Sequence, residues 1–542
     1  MFLKSYLNYI NEFYFILKSQ IRKIYLKSSI YNKKISKVDE NVLVYQPSLN
    51  ILSSLIKYEK QKKKIEDFNI KSIWKNENLN YSDFKKLHSF YWLFSIDLKS
   101  SNQITQSIIN NWITKNQNYE AKSWEVDILS KRVIAWISNS KITYDKSKDK
   151  YKNIFNEIIC KQVNHLMNEI DRSSDLNNKM IGCTAIIMTG VSYKNSRFLN
   201  YGLILLRKII NKSFDDSYFP KSRNIRQMVF YLKYFILIRE LLKDSLNDIP
   251  EYLDEIIFYL GKNYDFFWGS LKQNLLFNGN NNSSNKDFDK YLALFRYKFK
   301  NDKFDTSGYT VFKKKNVILA MDTGSNPGKN YSENYQSGPL SFEIIYKEKK
   351  IFCNCGYHQN LNHKLNQISR STAAHNTLVL NNTSVTNFRK NIDGSIKNKG
   401  NFHILNKNVV FEKNYWLIKG SHDGYLNEFG VIHERSLEFY PEKNKLIGQD
   451  TLNKKNNFKS TNFEIRFHLM PNSKVTKTQD NRTVLIELEN SGWRFYTNFG
   501  SINVETGLYF GNKNSFVENQ NIYIAGSTEN VTENIKWEIT KI

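Results

Sequence analysis

The stretch "RSTAAHNTLVL" at residues 370–380 passes from an alternating polar run into an apolar strand, and it holds one of the nine histidines of the chain. His375 and Asn376 stand where the predicted strand begins. An imidazole in such a place can serve as a general base, as a metal ligand or as a hydrogen-bonded structural group. The stretch therefore predicts a β domain and makes His375 the first candidate functional residue.

Length and composition indicate a folded protein with more than one domain. A chain of 542 residues exceeds what one hydrophobic core usually supports, so we expect two or more domains. With 40% hydrophobic and 14% aromatic residues the chain is not disordered, and 22 Gly and 7 Pro exclude a collagen-like sequence.

The formal net charge of +27 favours an anionic partner such as an acidic polysaccharide, a nucleic acid or a membrane surface. A composition bias toward lysine would give the same number without any binding stripe, and the charge alone leaves both explanations open. No nucleic-acid recognition motif accompanies the lysines, so we expect no nucleic-acid partner.

The spacing of apolar residues divides the chain into a helical half and a β half. From about residue 45 to 275 the period is helical, as in 87–100, 123–140, 179–193, 200–210 and 225–242. The polar stretch "NGNNNSSNKD" (278–287) reads as a turn and linker. After it the pattern is that of strands, as in 310–324, 340–356, 433–450, 463–471 and 483–500. We expect domains over residues 1–40, 41–300 and 301–542.

The N-terminal residues 1–40 predict an amphipathic helical extension, which rests on a membrane or packs on the domain. Charged and polar residues interrupt its apolar run, so it lacks a signal-peptide core, and no apolar window is long enough for a membrane span. The four cysteines are too few for a disulfide framework. Cys353 and Cys355 point to one face of a strand and are expected to be buried thiols rather than a redox pair.

The β half resembles the heparinase II/III family of polysaccharide lyases. The resemblance rests on a set of short motifs in the order and approximate spacing of that family, over roughly residues 305 to 470. They are "DTG" (322–324), "LSFEI" (340–344), "CNCG" (353–356), "RSTAAHNTLVLNNTS" (370–384), "SHDGY" (421–425) and "HERSL" (433–437). The helical half is similar to the α/α toroid of bacterial members.

This resemblance implies an α+β multidomain protein, in which an N-terminal α/α toroid, an incomplete helical barrel, precedes a C-terminal antiparallel β-sandwich. It also implies β-elimination on an acidic polysaccharide that contains uronic acid, in a cleft between the two. Such a lyase must neutralise the sugar carboxylate, remove the proton at C5 and protonate the leaving oxygen.

The resemblance also implies roles for individual residues. The Asn-His pair of the toroid corresponds to Asn177 and Asn178, which are carboxylate binders or helix-capping asparagines. A catalytic tyrosine is expected about fifty residues later, where Gln227 stands instead. Tyr218, Tyr231 and Tyr234 are the nearby substitutes, and His375 is the retained catalytic histidine.

Several further residues are implied as substrate contacts. Arg223 and Asn224 match members of the bacterial group, and Arg370 and Asn376 flank His375 in its motif. Where many members have a His-x-Asp arrangement, this chain has Gln336 and Gly338, and we expect Gln336 to face the substrate. With two of the family's histidines replaced, a member that binds an anionic glycan without cleaving it is the alternative function.

In family members with a metal, histidines and an aspartate of the β domain hold the ion. The corresponding candidates are His375, Asp393, His422 and His433, and these ligand types suit one structural Zn²⁺. His375 lining an active site without a metal, or acting as a structural residue, are the alternatives. Relatives that degrade polymers are exported, so the resemblance implies the cell envelope or periplasm, with the cytoplasm as the alternative. The oligomeric state is open.

Overall fold

The computed structural model describes residues 2–37, 42–55, 79–99, 102–314, 316–391, 395–455, 458–489, 491–512, 515–528 and 532–542. The chain divides into two compact units. Unit 1 comprises Met1–Lys212 and Tyr231–Ile257, and unit 2 comprises Ser213–Phe230 and Phe258–Ile542. Unit 2 therefore takes in a short segment from the helical half of the sequence. The boundaries predicted at residues 40 and 300 stay predictions.

The first half of the chain is helical, as its apolar period predicts. Its α-helices are α1 (Phe2–Lys27), α2 (Ser29–Ile35), α3 (Leu49–Leu52), α4 (Tyr81–His88), α5 (Asn102–Asn116), α6 (Val126–Ser138), α7 (Ser140–Thr143), α8 (Asp149–Glu169), α9 (Leu176–Ser192), α10 (Ser196–Ser213), α11 (Ile225–Asp244) and α12 (Glu251–Tyr264). Among the described residues, no helix is long and apolar enough to cross a membrane.

Helix α6 lies at the centre of unit 1, where it packs against α8 and α9. Its Arg132 is fully buried and donates to the carbonyls of His88 and Ser123 and to Gln162, with the guanidinium 4.0 Å from the ring centre of Trp112. Arg132 Nη2 is buried and has no partner among the described residues. The three hydrogen bonds connect α6 to α8 and to the segments around His88 and Ser123.

The helix predicted over 87–100 is wrong beyond His88. Phe90 adopts a left-handed backbone with φ of 57°, which ends α4, and Tyr91–Ser95 then forms a 3-10 turn. Phe90 is fully buried, with its ring edge-on to Trp112 and Trp136. Burial of this aromatic ring offsets the cost of an unfavourable φ, so tertiary packing overrides the helical period.

The second half begins with α13 (Lys286–Leu294) and continues as antiparallel sheets. A five-stranded sheet has the order β1-β2-β3-β4-β5, an eight-stranded sheet the order β14-β15-β16-β19-β12-β11-β10-β9, and a four-stranded sheet the order β17-β18-β13-β6. Strands β7 and β8 form a separate hairpin. Two short helices, α14 (Lys364–Arg370) and α15 (Leu426–Phe429), lie between strands.

The strands have the following bounds: β1 (Asp305–Thr306), β2 (Tyr309–Lys314), β3 (Val317–Asp322), β4 (Phe342–Tyr346), β5 (Lys349–Phe352), β6 (Leu378–Leu380), β7 (Asn387–Lys390), β8 (Ile396–Lys399), β9 (Ile404–Phe411), β10 (Trp416–His422), β11 (Val431–Tyr440), β12 (Lys445–Lys454), β13 (Asn462–His468), β14 (Lys474–Lys477), β15 (Thr483–Leu488), β16 (Ser491–Thr497), β17 (Ile502–Tyr509), β18 (Val517–Ser527) and β19 (Thr532–Lys541). The β half that the alternating pattern predicts is confirmed.

The three larger sheets share one hydrophobic core, to which each contributes buried side chains such as Leu319, Leu437 and Ile465. Strand β11 shows why the sequence folds in this way, because every second residue from Val431 to Phe439 is buried. The same alternation carries His433 and Arg435 to the inner face of the strand. Polar groups on this face must find partners inside the protein.

The asparagine-rich stretch 278–287 is buried in its first part, residues 278–281, and exposed at residues 282–284, 286 and 287. Asn278, Asn280 and Asn281 are buried in unit 2. Asn278 donates to Tyr309 and to Asp322, so the stretch is anchored to the β strands by hydrogen bonds. Composition alone does not distinguish solvated asparagines from asparagines that satisfy buried polar groups.

Candidate functional site

The motif at residues 370–376 forms a compact turn between α14 and β6. Arg370 is the last residue of α14, Thr372–Ala374 forms a 3-10 turn, and His375 has extended backbone with φ of −131° and ψ of 155°. The predicted strand entrance is therefore confirmed, with β6 beginning three residues later. Arg370, His375 and Asn376 are all buried, at 1%, 1% and 0% exposure.

Arg370 has unused hydrogen-bonding capacity. Its Nη2 donates to the carbonyl of Ser332 at 2.8 Å, but its buried Nε and Nη1 have no hydrogen-bond partner among the described residues. The guanidinium carbon lies 3.9 Å from the ring centre of Phe388 on β7. Burial lowers the pKa of Arg370 to about 10, so the side chain is still charged at neutral pH. N–H groups of this kind suit a carboxylate or a sulfate.

His375 is held as a neutral imidazole with one nitrogen unused. Its Nδ1 lies 2.8 Å from the carbonyl oxygen of Ser371, which can only accept, so Nδ1 carries the proton and Nε2 keeps a lone pair. Nε2 is buried and has no partner among the residues that the structure describes. Burial lowers the pKa of His375 to about 4. A β-carbon on Gly338 would lie 2.6 Å from the imidazole ring, so this glycine makes room for His375.

Tyr335 is a further candidate that sequence reasoning missed. It is 1% exposed, and its hydroxyl has no hydrogen-bond partner within the described part of the chain. Its ring lies 6.4 Å from that of Phe388, the same ring that covers Arg370. Burial raises the pKa of Tyr335 well above its usual range. The residue directly precedes Gln336, and the departure of Gln336 from the family pattern was the signal that pointed to this loop.

Arg223 is fully committed to contacts inside unit 2. Its guanidinium donates to the carbonyls of Ser307, Gly308, Gly324 and Ser325 and to the carboxylate of Asp322. Burial pushes the pKa of Arg223 down, but Asp322 and neighbouring tyrosines raise it above its ordinary value. All donors of this side chain are in use, so the structure gives Arg223 a bracing role, and its predicted contact with substrate stays a prediction.

Three other predicted substrate contacts are likewise engaged within the protein. Asn224 caps α11, because its Oδ1 accepts from the backbone N–H of Gln227. The side chain of Gln336 accepts from Gly279 and donates to two carbonyls, those of Gly356 and Ser369. That of Asn376 donates to Phe342 and accepts from His468.

The remaining candidates are distributed over both units. Tyr218 lies in unit 2 and stacks on Tyr259 at 4.4 Å. Tyr231 and Tyr234 are buried in unit 1, at 0% and 4% exposure. Asn177 and Asn178, also in unit 1, occupy the first turn of α9, where their backbone N–H groups donate to Asp175. Asp175 rather than either asparagine is therefore the cap of that helix.

His422 and His433 belong to a buried hydrogen-bonded chain. The two residues face each other across β10 and β11. His422 Nδ1 accepts from Gly424, its Nε2 lies 3.2 Å from His433 Nδ1, and His433 Nε2 lies 2.7 Å from the Asp450 carboxylate. Arg435 also pairs with Asp450 through two nitrogens. Burial lowers the pKa of both histidines, so both are neutral at neutral pH, as this series of hydrogen bonds requires.

This arrangement does not fit a metal ion as it stands, because both ring nitrogens of His422 and of His433 have hydrogen-bond partners. In the described part of the chain, no group of three His, Cys, Asp or Glu side chains is arranged to hold a metal. Asp393, the fourth predicted ligand, lies outside the described residues. The zinc site stays a prediction that the described residues do not favour. All four cysteines are free and buried, as expected for Cys353 and Cys355.

Comparisons with solved structures support the fold. A heparinase III crystal structure has 15% sequence identity and a TM-score of 0.67, and the match covers 94% of this chain and 88% of that one. A second heparinase III has 14% identity and a TM-score of 0.69 over 93% and 87% of the two chains. Heparan sulfate lyase HepC from Pedobacter heparinus has 13% identity and a TM-score of 0.61 over 94% and 87%. At these identities the likeness concerns the fold alone.

The sequence itself matches a known family in its second half. Residues 298–538 match the family model described as Heparinase II/III-like, C-terminal. No curated protein matches the chain. The matched segment contains the 370–376 motif, so the second half of this chain is similar to the C-terminal domain of the heparinase II/III family.

Proposed function

We propose that this protein is a polysaccharide lyase that cleaves an acidic, uronic-acid-containing polysaccharide by β-elimination. The observation that carries the proposal is the 370–376 motif, which holds a guanidinium with unused N–H donors and a neutral imidazole with an unused lone pair. Buried polar groups are normally satisfied, so each unsatisfied one needs an explanation, and a bound ligand is one such explanation. The similar solved structures include heparinase III and a heparan sulfate lyase, which supports the substrate class.

Arg370 is proposed to neutralise the carboxylate of the sugar. The proton at C5 is weakly acidic, and removing it pushes negative charge onto the adjacent carboxylate. The Nε and Nη1 groups of Arg370 have no partner among the described residues, so they can donate to carboxylate oxygens without breaking an existing bond. This contact strengthens as charge develops, which is what lowers the barrier.

His375 is proposed to accept the C5 proton at Nε2. Its Nδ1 stays bonded to Ser371, which fixes the ring and leaves the lone pair on the other nitrogen. A pKa of about 4 makes the free imidazole a weak base at neutral pH. A bound carboxylate raises the pKa of a nearby histidine, because it stabilises the protonated form. Substrate binding would thus bring the base closer to the working pH.

A tyrosine is proposed to protonate the leaving oxygen. Tyr335 has an unpartnered hydroxyl among the described residues and shares the neighbour Phe388 with Arg370. Tyr218, Tyr231 and Tyr234 remain the candidates from the family resemblance. Of these, Tyr231 and Tyr234 are buried in unit 1.

Access to these groups requires a local movement. Arg370, His375 and Tyr335 are each 1% exposed, and Phe388 covers the guanidinium at 3.9 Å. The proposal therefore includes displacement of Phe388 and its hairpin when the polymer binds. The α/α toroid, the cleft beside it and a location in the cell envelope stay expectations from the family.

The test is to incubate the purified protein with heparin, heparan sulfate and alginate and to follow the ultraviolet absorbance of the unsaturated product. We expect cleavage of at least one polymer and a loss of about 100-fold or more in His375→Gln, since a general base contributes this much. The exposed His403, changed to Gln, is the matched control. Unchanged turnover in His375→Gln, or no product from any polymer with folded protein, would exclude the proposal.

A second candidate function, binding of an anionic glycan without cleavage, is favoured by one observation. The imidazole of His375 is buried and has a pKa of about 4, as expected for a structural histidine rather than a base. In that case heparin binds and Arg370→Lys weakens binding, but no unsaturated product forms.

A further inference from the structure

We propose that the β7–β8 hairpin carries an anion subsite for an acidic saccharide, separate from the 370–376 motif. The inference rests on the proposed function, since it assigns a further contact to the same polymer. A surface pocket of about 320 Å³ lies at this hairpin. Its described lining includes Lys329, Arg389, Lys397 and Lys399 and contains no Asp or Glu.

Among the described residues, no carboxylate pairs with the four cations of this pocket. Ion pairs are frequent elsewhere in unit 2. Lys397 Nζ donates to Asn330 Oδ1 at 3.4 Å. A pocket with uncompensated positive charge attracts an anion from solution.

The register of the hairpin brings like charges close together, which destabilises the hairpin when no anion is bound. Arg389 pairs directly with Lys397 across the two strands, and Lys399, two residues along from Lys397, lies on the same face. Like charges placed directly opposite each other destabilise an antiparallel pair. A bound anion between them would remove the repulsion, so the arrangement is typical of a binding surface.

The polar lining favours a saccharide over a nucleic acid. Asn391, Asn398 and Asn401 supply amides that can donate to and accept from sugar hydroxyls. Asn398 is 3% exposed, and its Oδ1 has no partner among the described residues. Proteins that bind single-stranded nucleic acid stack bases on aromatic side chains, and none is in the described lining of this pocket.

The pocket is linked directly to the proposed catalytic motif. Ser332 is fully buried and joins the two, because its carbonyl accepts from Arg370 Nη2 and its hydroxyl accepts from the Asn398 backbone N–H, both at 2.8 Å. On the hairpin, Phe388 contacts Arg370, and its neighbour Arg389 lines the pocket. A chain with several acidic sugar units can therefore contact both places, and binding at the hairpin is coupled to the segment that covers Arg370.

The test measures the binding of a size-defined heparin oligosaccharide to the full chain by calorimetry. The double variant Arg389→Ala/Lys397→Ala is compared with Lys477→Ala/Arg482→Ala, which removes the same charges at an exposed β-turn of the same unit. We expect about tenfold weaker binding or more in the hairpin variant only. Equal binding in both variants, equal losses in both, or no binding of heparin to the unchanged protein would overturn the inference.

The variant Arg389→Glu distinguishes an effect on heparin affinity from an effect on the stability of the hairpin. The new carboxylate would face Lys397 across the hairpin, so we expect the unfolding temperature to hold or rise while heparin affinity falls. A fall in both would indicate a damaged hairpin and overturn the inference, as would unchanged affinity. A single-stranded DNA of equal charge serves as the second probe, and equally tight, hairpin-dependent binding of that DNA would overturn the assignment to saccharides.

The same variants distinguish this inference from the proposed function. If no polymer is cleaved but heparin binding still depends on Arg389 and Lys397, the lyase proposal fails and the subsite stands. If heparin is cleaved and KM and affinity are unchanged in the hairpin variants, the subsite fails and the lyase proposal stands.

Discussion

Arg223 Nη2 donates to Asp322 Oδ1 at 2.6 Å, and this buried ion pair joins the 213–230 segment to strand β3 within unit 2. Tyr309 completes the arrangement, since its hydroxyl donates to the Arg223 carbonyl and its ring lies 4.6 Å from the guanidinium. Two segments that lie about a hundred residues apart in the sequence therefore meet in one contact. Gly324, the last residue of "DTG", leaves the space in which the guanidinium lies.

Gly324→Ala is expected to destabilise the protein by about 3 kcal/mol, in the range for disruption of a buried ion pair. A β-carbon at this position would lie 2.3 Å from Arg223 Nη2, which can yield only by giving up its bonds to Asp322 and Gly308. Urea unfolding gives the measurement. Gly328→Ala is the control, because its β-carbon would have its nearest neighbour at an ordinary 3.7 Å. Similar effects of the two changes would show that Arg223 is not held as described.

The sequence predicted the helical half and the β half of the chain well. The spacing of apolar residues indicates which face of each element is buried, and the composition of the turns indicates where the elements end. It drew attention to His375 and Arg370 through their motif, and the roles of both residues stay predictions. It did not reveal that Arg223, Gln336 and Asn376 satisfy their hydrogen bonds inside the protein, since pairing partners lie far apart along the chain. Tyr335 was missed for the same reason, as only the packed structure shows a hydroxyl that lacks a partner among the described residues.

The break at Phe90 shows a second limit of the sequence. The apolar period continues through residues 87–100, yet the backbone turns at Phe90 and packs its ring edge-on against Trp112 and Trp136. Local spacing carries no information on which distant aromatic rings compete for the same core position. Tertiary packing decides in such cases.

Stability is expected to fall as the pH drops below about 6.5, the ordinary pKa of histidine. Burial lowers the pKa of His375 to about 4 and that of His468 to about 3, so the unfolded chain binds protons in this interval that the folded protein does not. Each such histidine contributes a slope of up to about 1.4 kcal/mol per pH unit. Unfolding in urea at about pH 7.5 and about pH 5.5 measures the difference.

The matched variants for this experiment are His375→Gln and His403→Gln. Without His375 the unfolded chain takes up one proton fewer in this pH interval, so the free energy of unfolding should depend less steeply on pH. Replacing His403, whose side chain is largely exposed, should leave the pH dependence of the free energy of unfolding unchanged. A profile that is flat in the unchanged protein would mean that these histidines are accessible to solvent.

Chelation is expected to leave the unfolding temperature unchanged. His422 and His433 use both ring nitrogens in hydrogen bonds to Gly424, to each other and to Asp450. A metal ion could bind them only after these hydrogen bonds are broken. Elemental analysis of the purified protein and thermal unfolding with and without a chelator are the measurements. About one zinc per chain, whose removal lowers the unfolding temperature, would instead support the predicted metal site.

Arg370→Lys separates a substrate-binding role from a structural one. Lysine keeps the positive charge and can still donate to the Ser332 carbonyl, but it lacks the planar set of N–H groups that pairs with a carboxylate in two bonds. If Arg370 neutralises the sugar carboxylate as charge develops, kcat should fall by about 100-fold while the unfolding temperature changes little. A change in KM alone would mean that the contact is equally strong before and during the reaction. A large fall in unfolding temperature that Arg482→Lys does not share would show that Arg370 supports the fold instead, and the catalytic assignment of the motif would then rest on His375 alone.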